Sequence, residues 1–221
     1  MMKQSLLIFL LLTLFCSFAF AEELDRFLIS PGVSVGTLTS STTELNLVEM
    51  FGVENVKSTT IQNDQKDTIT ETVLYPFDTL RMLYINWKDG DSHNGISSVI
   101  IKGHSSYWHT REGISLGTSL IQLEIMNGTY FHLTGLNLEH PSTAVDCGNG
   151  VLKSLGYRDS TDTRILGKRM ILQLDQPYSI LERITDEEYT SISKEGIFRS
   201  DITAMEKLNP IVRQMEIFFT P

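Results

Sequence analysis

The chain uses one short motif twice, and that repetition constrains its fold more than any other feature. Gly32-Val33-Ser34-Val35-Gly36-Thr37 returns as Gly113-Ile114-Ser115-Leu116-Gly117-Thr118. Each copy leads into a helix-like stretch that closes on a glycine, Gly52 in the first and Gly128 in the second. A unit that recurs is usually a structural module that buries its apolar face against a neighbouring copy. The doubled Gly-x-Ser-x-Gly imitates the nucleophile elbow of hydrolases, but an elbow joins a buried strand to a long helix and needs only one copy. The motif therefore reads as two entry turns into two packed units, about 28–110 and 111–221.

The N-terminus has the form of an export signal. Lys3 is the only charge before an apolar run over 6–12, and the stretch ends in Phe18-Ala19-Phe20-Ala21, with small residues where an A-x-A cleavage site needs them. The run falls short of the ~20 apolar residues that a membrane-spanning helix requires. Cleavage is expected after Ala21, which leaves 22–221 as a single domain with no transmembrane segment. Cys16 invites a lipoprotein reading, which Phe15 disfavours because a lipobox takes a small residue there. Periplasmic or secreted localisation follows.

Charge and cysteine content narrow the class further. The sequence holds 18 basic and 27 acidic side chains, and loss of Lys3 with the leader moves the net charge from −9 to −10. Nucleic acid and anionic membrane surfaces bind through basic patches, so neither is an expected partner. Only Cys147 remains after cleavage, which rules out an intrachain disulfide and suits a bacterial periplasmic protein with an adequate core. Asn127-Gly128-Thr129 fits a glycosylation acceptor only in a eukaryotic secretory route, which is not the expected one.

Between the motif copies the pattern is extended. Segments 56–61 and 68–74 are rich in threonine, valine and isoleucine and read as a hairpin; Pro76 then breaks the chain. Segment 80–88 alternates, 89–95 is a turn, 96–102 is a strand, and 106–110 is expected to continue the sheet. In the second half, strands are expected at 129–133, 144–147, 151–155 and 168–174. Helices are expected from Thr185 and from a Ser200-Asp201 cap through Leu208. The last strand should bury Ile211, Met215, Ile217 and Phe219. Together these give an α+β domain, a mainly antiparallel sheet with short helices packed on one face.

This order, a Gly-x-Ser-x-Gly-Thr turn, a short helix ending in Gly and then several strands, resembles the helix-plus-sheet modules of the SmpA/OmlA-type outer-membrane-assembly lipoproteins. It is similar also to the β-lactamase inhibitor proteins, which carry two such units in tandem. Locally, Ser41 with Glu44 has capping-box spacing, and Thr118 or Ser119 is placed to cap the second helix. The chain departs from the pattern in lacking a lipobox and in five extra residues between Gly36 and the first helix. The resemblance implies a role in binding other proteins and maps no binding residue.

Chemistry-bearing residues are sparse. Cys147 with Asp146 and His140 in one loop-like region raises nucleophilic catalysis, yet no cysteine-hydrolase signature surrounds it, and a lone cysteine is more often a small buried hydrophobe. The motif serines Ser34 and Ser115 are the other candidates for a hydrolase. His104 and His109 lack any accompanying ligand spacing, so no metal is expected, and no cofactor motif occurs. The loop at 89–94 fails the calcium pattern and reads as a hairpin turn. The stretch His104, Tyr107, Trp108, His109 and Arg111 concentrates residue types that proteins use to hold partners. The plainer reading is that Tyr107 and Trp108 straddle a strand, one in the core and one outside. The leading expectation is a non-enzymatic module that binds a protein or cell-envelope component. A hydrolase and a carrier with a small-ligand cavity between sheet and helices are the alternatives.

Overall fold

The computed structural model describes residues 26–62, 68–135, 142–154, 169–175, 178–193 and 196–219. A first layer of small elements, β1 (Leu28–Ser30), β2 (Ser34–Val35) and β7 (His109–Thr110), forms a three-stranded sheet in the order β2-β1-β7. The main sheet has nine strands. Its first run follows helix α1 (Glu44–Phe51) as a meander: β3 (Val56–Gln62), β4 (Thr68–Leu74), β5 (Leu83–Asp89) and β6 (Asn94–Lys102). Helix α2 (Leu120–Asn127) precedes β8 (His132–Thr134), β9 (Ser142–Asp146) and β10 (Met170–Asp175). Helix α3 (Asp186–Ser193), β11 (Ile197–Arg199), helix α4 (Thr203–Leu208) and β12 (Ile211–Phe218) follow. The spatial order is β11-β8-β9-β10-β12-β6-β5-β4-β3, with every pairing antiparallel. The fold is the expected α+β arrangement of antiparallel strands with short helices.

One continuous core lies between the sheet and the helices. Leu83, Ile85 and Trp87 alternate inward along β5, and Met215 and Ile217 do so along β12. They meet Leu47 of α1, Leu120 and Leu123 of α2, and Met205 and Leu208 of α4. The two halves of the sheet join where β12 pairs with β6, with Met215 opposite Ile101 and Ile217 opposite Val99.

Both cap-led helices close their exposed amides reciprocally. Thr43 accepts from the Asn46 N–H while Asn46 accepts from the Thr43 N–H, so this cap lies two residues beyond the expected Ser41. Ser119 and Gln122 make the same box on α2. Gly128, which closes α2, is left-handed, whereas Gly52, which closes α1, has φ +86° and ψ +145°, outside that region.

Several expectations are corrected. Of 106–110, only His109–Thr110 is a strand, and it joins β1 in the small sheet. The chain at Val151–Ser154 is a 3-10 turn, because the buried Asn127 carboxamide accepts the Leu152 N–H at 3.0 Å and donates to the Cys147 carbonyl at 3.0 Å. That bonding also closes the Asn127 side chain to glycosylation in the folded state. Ser200 and Asp201 do not cap α4, whose first flanking residue is Ile202; Ser200 instead accepts from the Phe131 N–H and donates to Glu124. In β12 a register shift opposite Gln173 and Leu174 turns Val212 inward and leaves Ile211 half-buried.

Candidate functional site

Two loops meet at one end of the first meander. Tyr107 donates its N–H to the Leu80 carbonyl at 2.9 Å, and Ser106 Oγ donates to the same oxygen at 3.1 Å. The Trp108 indole N–H donates to the Arg81 carbonyl at 2.9 Å. These bonds stitch the 104–108 segment to the 75–82 loop. Within that loop the Asp78 N–H donates to the Tyr75 carbonyl, the Arg81 N–H to the Asp78 carbonyl, and the Leu80 N–H to Asp78 Oδ1. The Arg81 guanidinium donates to Asp78 at 2.6 Å, which holds the Asp78 carboxyl below the usual carboxylate range.

The loop is held at a backbone cost. Tyr75 has φ +56°, a left-handed conformation that is disfavoured by roughly 1–2 kcal/mol in a residue with a side chain. Contacts hold it there: its N–H donates to the Asn55 carbonyl at 2.8 Å, its ring meets Phe51 edge-on at 5.7 Å, and Arg81 sits 4.4 Å above it. The joined loops carry exposed aromatics. Phe77 is 89% exposed and Tyr107 is 52% exposed, and Phe27 lies 5.3 Å from the Tyr107 ring. Backbone strain of this kind persists where the surroundings over-determine it, as they often do at binding sites.

The five residues singled out from the sequence fall in different settings. Tyr107 is one of the exposed aromatics on the joined loops. Trp108 is 4% exposed, edge-on to Phe27 at 5.1 Å, and so is a core residue. His109 is half-buried and its Nδ1 bonds the Tyr107 carbonyl at 2.8 Å. His104 is exposed with Nδ1 2.7 Å from a guanidinium nitrogen of Arg213, an arrangement in which the imidazole accepts. Arg111 is exposed and meets no side-chain partner among the described residues. Phe77, Tyr75, Arg81 and Phe27 escaped the sequence reading; the only local signal was an aromatic on each side of Pro76.

The candidate nucleophiles are poorly supplied. Burial, with the Asp146 charge beside it, pushes the Cys147 thiol up to about 12, so the thiolate is scarce at neutral pH. His132 is engaged with Asp146 at 3.0 Å, and His140 lies outside the described residues. Ser115 Oγ donates to the Leu116 carbonyl at 3.4 Å, and Ser34 lies in β2 opposite Ser30. A chain of polar groups does link Ser58, Glu44 and His93, with the carboxylate in the middle. Burial raises the Glu44 pKa, but hydrogen bonds from Ser58 and His93 bring it below the usual carboxylate value. A carboxylate so stabilised is a weak base, and hydrolase triads place histidine, not the acid, beside the hydroxyl.

Room for a small ligand in the interior is slight. The cavity lined by Ile114, Ala144, Cys147, Leu152 and Met170 has a volume near 20 Å³, about one water molecule. A second hollow of about 340 Å³ is an open groove walled by Gly113, Ser115, Gly117 and Thr118 of the second motif copy and by Gln122 of α2. Among the described residues no helix is long and apolar enough to cross a membrane. Comparison with protein-family models, with curated proteins and with solved structures finds no match to this chain.

Proposed function

We propose that the chain is an exported, non-enzymatic module of two related helix-led units that binds a protein or another cell-envelope component, in the periplasm or outside the cell. The observation that carries this reading is the pair of stitched loops that expose Phe77 and Tyr107, the latter beside Phe27. Exposed aromatics on a rigid backbone supply contact area at low entropic cost to binding. The occupied Cys147, Ser115 and Glu44 environments support the non-enzymatic part.

The kinship of the two units is supported by their entries. Thr42 and Thr118 each accept the N–H of the residue three before them at 3.0 Å, Thr39 and Ser115 respectively. Thr43 and Ser119 then cap α1 and α2 by the same reciprocal box. Each capping residue also bridges the start of a central strand, Thr43 to Asn94 of β6 and Ser119 to Ile211 of β12. This alignment matches the helices and their caps and leaves the two Gly-x-Ser-x-Gly copies five residues out of step. The same reading extends the resemblance to the SmpA/OmlA-type modules and the β-lactamase inhibitor proteins.

The test is a crosslinking pull-down from the periplasm with the wild-type chain and with a Phe77→Ala, Tyr107→Ala double variant. The expected outcome is a discrete partner captured by the wild type and lost with the double variant at an unchanged melting temperature. Equal capture by both, or hydrolysis abolished by Cys147→Ala, overturns the proposal.

A further inference from the structure

The two margins of the nine-stranded sheet differ in kind. At one, β11 has three residues, too short to template another strand. At the other, β3 has seven residues in unbroken register with β4, from Val56 opposite Leu74 to Gln62 opposite Thr68. It contains no proline and no bulge, and Lys57 is its only charge. The Val56 N–H, at the start of β3, turns back to the Val53 carbonyl; the other backbone groups of β3 that point away from β4 meet no partner among the described residues. Sheets normally blunt such margins with short strands, charges, prolines or bulges, because an open row of donors and acceptors pairs with whatever strand arrives. The β11 margin is blunted; the β3 margin is not.

We infer that β3 pairs antiparallel with β3 of a second copy, joining two sheets into one about a two-fold axis. Lengths favour this occupant: a head-to-tail contact would set seven residues against the three of β11, whereas like margins match and the assembly closes at two. Charge permits it, since a register centred on Thr59 puts Lys57 opposite Ile61 and no acid lies in the strand. An axis perpendicular to the sheet keeps both helix layers on one side. Helix α1 packs beside β3 in each copy. The pairing does not rest on the exposed aromatics, whose captured partner is read separately.

Light scattering of the purified exported chain tests it. The wild type is expected at twice the protomer mass, and Thr59→Lys at the protomer mass, because the new charge faces its own copy, or Lys57, across the joint. Thr59 faces Glu71 on β4, so this substitution adds an opposite-charge pair within the protomer and is expected to leave the far-ultraviolet spectrum unchanged, while the melting temperature loses the dependence on protein concentration that a dimer shows. In a separate arm, Thr59→Cys is expected to give a covalent dimer with a short bis-maleimide while the wild type, with the half-buried Cys147 alone, gives none. A monomeric wild type at the highest soluble concentration, the result if an extended segment of another protein is the occupant, overturns the inference. So does a dimer that survives Thr59→Lys, or the absence of a covalent dimer from Thr59→Cys.

Discussion

Trp108 and Tyr107 are neighbours in sequence and opposites in setting, and substitutions should separate them. Trp108 lies in the core with its indole bonded to the Arg81 carbonyl. Trp108→Ala should therefore cost about 3–5 kcal/mol, measured by urea unfolding. Trp108→Phe keeps most of the ring and loses the bond, a cost of about 1 kcal/mol. Phe77→Ala, at a side chain that water already surrounds, should stay within about 0.5 kcal/mol of the wild type. Cys147 should resist iodoacetamide at pH 8 in the native state and react once the protein is unfolded, read by intact mass, since its folded pKa lies near 12. That one of the two aromatics is inside was legible from alternation. Phe77 was not, because an apolar ring in the turn closed by the Asp78 N–H on the Tyr75 carbonyl carries no pattern that says whether it faces core or solvent.

Among the elements, the two capped helices were the most legible. A hydroxyl or amide cap followed by an apolar run and a glycine is a local signal, and both helices stand where it placed them. The cap of α1 moved because Glu44 is drawn away from a capping box by Ser58 of β3 and His93 in the β5–β6 turn, contacts made across the fold. Thr43→Ala and Ser119→Ala should each cost about 1 kcal/mol of stability in thermal melts. The Glu44 link has a definite pH dependence. Its folded pKa lies below the ordinary 4.5, so its stabilisation is complete above that value and fades as pH falls through the lower folded one. Melting temperatures of the wild type and Glu44→Gln should differ at pH 7, with the wild type higher, and converge in acid. A gap that persists unchanged at low pH would assign the effect to packing alone. Where the sequence misread Val151–Ser154 as a strand, the decisive atom was Asn127 Oδ1, at the end of a helix in a different stretch of chain.

At the scale of the whole molecule, alternating strands and short amphipathic helices made the fold class readable, whereas strand order did not follow from any local pattern. Nothing near Ile211 announces that β12 lies between β10 and β6; that place is fixed by burial of Val212, Met215 and Ile217 in the core shared by both halves. A single core spanning the β6–β12 joint predicts one cooperative transition by scanning calorimetry. Met215→Ala should lower that transition by about 2–5 kcal/mol of stability without splitting it, and two resolved peaks would show halves that melt separately. The position of β12 also bears on the order of assembly. The middle strand of the nine is the last of the described elements to be synthesised, so β10 and β6 each wait as a raw edge of a partial sheet until β12 arrives. Closure is then a late, long-range event of the kind that makes β-rich folding slow. A chain shortened by that one strand would lose its keystone: two half-sheets would remain, with nothing between them.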